Sequence, residues 1–102
     1  MNNTPDKPGY YRSFHHTEYM EALKALFLAG DDAHAKALLE PLLDSIEAED
    51  RVEQIGVDLW HYTQLVNIYM REGNDAAANA VLERYARHDH FATSLVLHSP
   101  SQ

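Results

Sequence analysis

The sequence contains no cysteine, and this absence removes disulfides, thiolate metal sites and cysteine nucleophiles together. It also has no apolar run near the ~18 residues that a membrane-spanning helix requires. The first eleven residues include no apolar stretch typical of a signal peptide. With 102 residues, one domain is the default. We therefore expect a single-domain, cytoplasmic protein.

Basic residues are scarce as well: 8 Lys and Arg stand against 16 Asp and Glu, which gives a net charge of −8. Much of the excess lies between Asp44 and Asp58, where six acids accompany one base, Arg51. An acidic surface repels phosphate backbones, so nucleic-acid binding is disfavoured. The same charge favours a basic protein partner, or simply keeps the chain soluble. The predicted acidic surface consists of Asp44, Glu47, Glu49, Asp50 and Glu53.

Four amphipathic helices are predicted from the period of the apolar residues. Residues 1–13, with Pro5, Pro8 and Gly9, read as a flexible arm. From Tyr19 the apolar residues recur at helical spacing, and they do so again in three later segments. The acidic stretch from residue 47 to 53 is expected to connect the second and third helices. We assign residues 14–90 to one helical domain and 91–102 to a partly packed tail.

The two halves of this domain resemble one another. The residues Gly30, Asp31, Asp32 and Ala33 match Gly73, Asn74, Asp75 and Ala76 at an offset of 43 positions. Each glycine suits the left-handed conformation that ends a helix, and the following Asp or Asn suits the cap of the next one. At the same offset Ala35 corresponds to Ala78, and Leu39 corresponds to Leu82. The chain is therefore predicted to contain two copies of a unit made of helix, Gly-Asx turn and helix.

Each unit resembles a tetratricopeptide repeat (TPR). The shared features are an early aromatic residue (Tyr19, Tyr62), the Gly-Asx turn, and a small alanine where the helices cross (Ala35, Ala78). The offset of 43 exceeds the family period of ~34 residues. The resemblance implies an all-α fold: two antiparallel hairpins, or four main helices, stacked as a short TPR-like superhelix or a four-helix bundle. Two units are fewer than the ~3 that a stable stack of repeats usually needs. We therefore expect the arm, the tail or a second copy of the chain to cover the ends of the stack.

The resemblance also implies a partner-binding groove lined by the first helix of each unit. Carried over by position, the binding residues are Met20, Lys24, Phe27, Trp60, Thr63, Asn67, Met70 and Arg71. Methionine adapts to irregular apolar shapes, and Trp and Arg are enriched among interface hot spots. The alternative is that Phe27 and Met70 belong to the core, and that Lys24 and Arg71 are solvated.

Seven histidines are many for this length. His15 with Glu18, and Asp58 with His61, place an imidazole and a carboxylate three residues apart, so each first helix is expected to carry such a pair on one face. Metal-binding helical bundles use a related spacing but need more ligands than one copy of this chain supplies. We therefore assign no metal ligand and no cofactor, and a metal-binding bundle remains an alternative.

The sequence carries no motif that indicates a nucleophile, a metalloprotease or a phosphate-binding loop, so no enzyme activity and no catalytic residue are predicted. The leading hypothesis is a protein–protein interaction module, such as an adaptor, a chaperone-like protein or a scaffold, that binds a peptide or helix or self-associates as a homo-oligomer. The second hypothesis is an acidic inhibitor or regulator of a basic protein surface.

Overall fold

The computed structural model describes residues 7–88. The chain divides into two compact units, Met1–Glu53 and Gln54–Gln102. The single domain that the sequence predicts over residues 14–90 therefore stays a prediction, and each unit is described by itself. The predicted tail, residues 91–102, lies outside the described residues.

The four predicted helices are present. In the first unit, helices α1 and α2 span Met20–Leu28 and Asp32–Glu53, and in the second, α3 and α4 span Leu59–Arg71 and Asp75–Arg87. A short 3₁₀ helix, His16–Tyr19, precedes α1. A two-stranded hairpin is also present, so the all-α description holds only approximately. Among the described residues, no helix is both long enough and apolar enough to cross a membrane.

The hairpin lies partly in the segment that the sequence assigned to a flexible arm. Strand β1, Tyr10–Tyr11, pairs antiparallel with β2, Phe14–His15. Arg12, in the two-residue turn, has a positive φ of 62°, as tight hairpin turns require. The arm boundary at residue 13 is therefore wrong, because it cuts through this hairpin. Strands of two residues show no readable alternation, and the turn carries no glycine to mark it.

The hairpin is fixed to the middle of α2 by hydrogen bonds. The Gly9 amide donates to the Ser45 carbonyl at 3.0 Å, and the Ser45 hydroxyl donates to the Tyr10 carbonyl at 2.8 Å. Within the N-terminal segment, the Tyr19 hydroxyl donates to the Tyr11 carbonyl at 2.6 Å. These bonds satisfy backbone groups that a two-stranded sheet leaves unpaired at its edges.

The turns that join the helices have the same geometry in both units. Gly30 and Gly73 have φ values of 70° and 74°. The residue after each glycine donates its amide to the carbonyl five positions earlier: Asp31 to Leu26 at 2.9 Å, and Asn74 to Tyr69 at 2.8 Å. This pattern is the Schellman motif, which ends a helix and satisfies its last carbonyls. The predicted Gly-Asx turns are thus present in both units.

Helix α2 is longer than the sequence indicates. Pro41 lies inside it, and the acidic stretch that was expected to connect two helices forms its last turns. That prediction is wrong because its premise, that acidic residues mark a solvated connection, fails here: Glu47 and Asp50 are buried. The connection to α3 is shorter, residues 54–58, and Gln54 and Gly56 both have positive φ values.

Each unit buries the apolar stripes that the helical period predicts. The buried apolar residues of the first unit are Leu23, Ala35, Leu39, Leu42, Leu43 and Ile46, and those of the second are Tyr62, Leu65, Val66, Ile68, Ala78 and Val81. The repeat is not symmetric in burial. Leu39 is fully buried, whereas Leu82, its counterpart 43 positions later, is 48% exposed. Helix α4 therefore presents an apolar side chain that α2 does not.

Candidate functional site

Two histidines converge on one carboxylate in the first unit. The Nε2 atom of His15 lies 2.8 Å from Oε2 of Glu49, and Nε2 of His16 lies 2.9 Å from Oε1 of the same residue. The two imidazole rings are 4.1 Å apart between centroids and tilted by 35°. We call these three residues the histidine–glutamate cluster. Within residues 7–88, this cluster is the one group of three His, Cys, Asp or Glu residues whose ligand atoms lie close enough together to share a metal ion.

The local backbone explains how two adjacent side chains reach the same point. Neighbouring residues of a strand point to opposite faces. His15 ends β2, but His16 begins the 3₁₀ helix, so the backbone turns between them. His15 also caps that helix: its Nδ1 accepts from the Thr17 amide at 3.4 Å and lies 2.9 Å from Thr17 Oγ1. With Nδ1 accepting, Nε2 carries the proton and donates it to Glu49.

The cluster is half-buried, with side-chain exposures of 25% for His15, 12% for His16 and 23% for Glu49. Burial acts to raise the pKa of Glu49, but the hydrogen bonds from His15 and His16 outweigh it, so the pKa of this carboxyl lies below its ordinary value. Glu49 is therefore an ionised acceptor near neutral pH.

Gly9 closes one side of the cluster. A Cβ atom placed on Gly9 would lie 2.8 Å from Glu49 Oε2 and 3.1 Å from His15 Nε2. Its φ of 90° also disfavours any residue with a side chain. The Gly9 carbonyl accepts from the His16 amide at 2.8 Å. The backbone of the N-terminal segment thus lies directly against the carboxylate and its imidazole partner.

The histidine–carboxylate pairs that the sequence predicted are wrong. His15 lies in a strand, so it shares no helical face with Glu18, and its partner Glu49 is 34 positions away. Asp58 caps α3, where its Oδ1 accepts from the Trp60 amide at 3.0 Å. His61 is buried, with 2% exposure. Spacing along one helix could not identify the cluster, because its members belong to elements that tertiary contacts bring together.

The predicted partner-binding residues lie on α1 and α3 of separate units. On α1, Lys24 is exposed, and Met20 and Phe27 are half-buried. On α3, Trp60 is half-buried, and four residues are exposed, namely Thr63, Asn67, Met70 and Arg71. Met70 is 60% exposed, so it does not belong to the core of its unit. The face of α3 accordingly offers these side chains to solvent.

A groove lies between α3 and α4 in the second unit. Its volume is about 360 Å³, and its lining residues are Val66, Met70, Asp75, Ala78, Asn79 and Leu82. Met70 and Leu82 are both about half exposed or more, and they form an apolar rim. Since Met70 lies three positions from Asn67 and four from Val66, it borders both the predicted face of α3 and this α3–α4 groove. The sequence predicted Met70 as a binding residue, but it indicated Leu82 only as the counterpart of Leu39 in the repeat.

The predicted acidic surface is not one continuous exposed face. Asp44 and Glu53 are exposed. Glu47 and Asp50 are buried, at 7% and 2% exposure. Glu49 is half-buried and accepts hydrogen bonds from two histidines. Three of the five carboxylates are therefore buried or half-buried, because the stretch that carries them is a packed part of α2.

Comparisons with models of protein families, with curated proteins and with solved structures found no match to this chain.

Proposed function

We propose that this chain is a protein-interaction module that holds an apolar side chain of a partner protein in the α3–α4 groove. The observation that carries the proposal is the groove itself: about 360 Å³ of space with two large apolar side chains, Met70 and Leu82, at 60% and 48% exposure. Full burial of one such side chain contributes about 1.5–3 kcal/mol, which gives a partner a reason to bind there.

The charge of the chain supports a basic partner. The net charge is −8, and Asp75 lies in the lining of the groove. A partner segment with a leucine or phenylalanine anchor and a flanking lysine or arginine would match both features. Opposite charge raises the association rate and disfavours acidic competitors. The exposed face of α3, with Asn67 and Arg71, extends the surface beyond the groove.

The resemblance of the two hairpins to tetratricopeptide repeats supports the same proposal, because that family binds peptides and helices. In this proposal the chain is a cytoplasmic binding module, the groove and the adjoining face of α3 carry the affinity, and no residue acts catalytically. Of the five residues of the predicted acidic surface, only Asp44 and Glu53 are exposed, so we propose the groove instead of that surface as the binding site.

A peptide selection tests the proposal on the full chain. A displayed library of helical peptides, each with one apolar anchor beside lysine or arginine, is selected against the wild-type protein. We expect selected peptides to shift the amide resonances of Val66, Met70, Ala78 and Leu82. The variant Leu82→Glu places a charge in the groove and should weaken binding at least tenfold, which is about 1.4 kcal/mol.

The matched control is Leu28→Glu, which makes the same change at a residue of α1 that is 90% exposed. It should leave peptide affinity unchanged. Equal binding to wild type and to Leu82→Glu would contradict the proposal. Binding that appears only after residues 89–102 are removed would also contradict it, because the groove would then belong to the tail of the chain itself.

A further inference from the structure

We propose that His15, His16 and Glu49 bind one divalent transition-metal ion, of which zinc is the best-suited representative. Imidazole nitrogens and a carboxylate oxygen are ligands that zinc prefers, and two histidines with one glutamate leave a position for water. The proposal is independent of the α3–α4 groove, because the cluster lies entirely in the first unit.

The ligand atoms of the cluster already lie close to the spacing of a metal site. One ligand atom from each residue can be chosen so that all lie within 4.8 Å of one another. Metal–ligand bonds of about 2.0–2.2 Å in a tetrahedral arrangement separate neighbouring ligand atoms by about 3.3–3.5 Å. The present N···O distances are 2.8 and 2.9 Å. An ion bound by His15 and Glu49 Oε2 would therefore move that pair of atoms apart by about 0.5 Å. His16 is bonded to the other oxygen, Oε1, so the carboxylate would either bind the ion through both oxygens or turn to offer one of them.

The proton on His15 has a defined destination when the ion binds. Each imidazole remains neutral when the proton on Nε2 moves to Nδ1 and Nε2 takes the ion. For His15, the new Nδ1–H can donate to Thr17 Oγ1, which already lies 2.9 Å away. A hydrogen bond of this kind commonly orients a metal-bound histidine. The weak 3.4 Å contact from the Thr17 amide is lost in exchange.

Access and rigidity also fit a metal site. The three side chains are 12–25% exposed, so an ion and a water ligand can reach them from solvent. Gly9 holds the backbone against Glu49 Oε2 and His15 Nε2, and its own amide is bonded to the Ser45 carbonyl in α2. The ligands therefore come from two segments, 33–34 residues apart in sequence, that hydrogen bonds fix to each other.

Zinc titration of the tag-free, full-length chain by calorimetry tests the proposal, with cobalt(II) as a spectroscopic probe. We expect one high-affinity equivalent per chain, visible absorption of a four- or five-coordinate cobalt ion, and a higher melting temperature with zinc than without it. The variants His16→Gln and Glu49→Gln should each weaken zinc binding by more than about 100-fold. Thr17→Val keeps all three ligands and removes only the hydroxyl, so a loss of about tenfold is expected.

The control is His34→Gln. His34 and Asp31 form an exposed pair at 2.7 Å but offer two ligands instead of three, so this variant should bind zinc as the wild type does. Circular dichroism of each metal-free variant shows whether it folds. If a ligand variant does not fold, Thr17→Val still tests the proposal. Wild-type binding no tighter than that of Glu49→Gln, or an equal loss in His34→Gln, would overturn the proposal and leave the cluster as a hydrogen-bonded anchor of the hairpin.

Discussion

Asp31 and Asn74 lie 43 positions apart and cap two helices in the same way. The Oδ1 atom of Asp31 accepts from the His34 amide at 3.1 Å, and Oδ1 of Asn74 accepts from the Ala77 amide at 3.1 Å. Their backbone carbonyls then accept from Ala35 and Ala78. The repeat visible in the sequence therefore extends to individual hydrogen bonds at the starts of α2 and α4.

Replacing Asn74 with alanine should destabilise the second unit by about 1 kcal/mol, because the Ala77 amide loses its side-chain acceptor. Urea unfolding measures this change, and hydrogen exchange should show faster opening at the first turn of α4. The control is Asn74→Asp, which preserves the acceptor and should stay within a few tenths of a kcal/mol of the wild type. Equal losses in the two variants would mean that the cap contributes nothing.

The turn glycines should tolerate asparagine better than alanine. Gly73 has a φ of 74°, and no atom lies within 4 Å of a Cβ added there, so conformational strain is the main cost. We expect Gly73→Ala to lower the free energy of unfolding by about 1 kcal/mol, and Gly73→Asn to cost less. The same two changes at Gly30, with φ of 70° and equal space, should give matching values in chemical denaturation.

Gly9 should be more sensitive than Gly56, although their φ values are similar, 90° and 83°. A Cβ at Gly9 meets Glu49 Oε2 at 2.8 Å, whereas nothing lies within 4 Å at Gly56. The alanine variants therefore share the strain and differ in crowding. We expect Gly9→Ala to be less stable than Gly56→Ala by about 1 kcal/mol or more, measured by thermal unfolding. Equal stability would show that Glu49 moves aside freely.

Leu39 and Leu82 occupy equivalent positions of the repeat but should respond differently to alanine. Leu39 is fully buried, so Leu39→Ala should cost about 2–5 kcal/mol through lost burial and a cavity. Leu82 is 48% exposed, and its replacement should cost less than about 1 kcal/mol. Denaturant unfolding compares the two. A large loss at Leu82 would mean that this side chain is covered, which would also count against the proposed open groove.

The carboxyl group of Asp31 should titrate below its ordinary value. The His34 amide and then the His34 imidazole donate to it, and both hydrogen bonds lower the pKa of Asp31. The pKa of Asp31 is lower in the folded state than in the unfolded state. Asp31 therefore stabilises the first unit at pH values above its unfolded-state pKa. That contribution is lost as the pH falls through the folded-state value.

A carbon-detected NMR titration of Asp31 measures this shift. In His34→Ala the backbone donor remains and the imidazole is absent, so the pKa of Asp31 should rise only part of the way toward that of an unfolded chain. An unchanged pKa in this variant would remove the imidazole as a cause.

Local signals in the sequence were sufficient for the helices and their turns. Gly30 and Gly73 end α1 and α3, and Asp31 and Asn74 cap the starts of α2 and α4. Both effects depend only on residues that are a few positions apart in sequence. The apolar stripe of α2 also identified buried residues such as Leu39.

The hairpin and the histidine–glutamate cluster could not be predicted from those signals. Both depend on contacts between the N-terminal segment and α2, such as Gly9 with Ser45 and His15 with Glu49. No local periodicity reports a contact across more than thirty residues. The acidic residues near Glu49 were misleading for the same reason. They predicted a solvated connection, but composition alone does not show whether a stretch packs against another segment.

The additional length of α2 and the hairpin belong together. At the 43-residue offset, the last residue of α4, Arg87, corresponds to Asp44, but α2 continues to Glu53. Ser45 and Glu49, whose side chains bond to the hairpin, lie in this extension. The hairpin and the extension are thus the two features that α1 and α2 have and that α3 and α4 lack among the described residues. A graft of the hairpin onto another helical pair would therefore lose these hydrogen bonds unless it also carried Ser45 and Glu49.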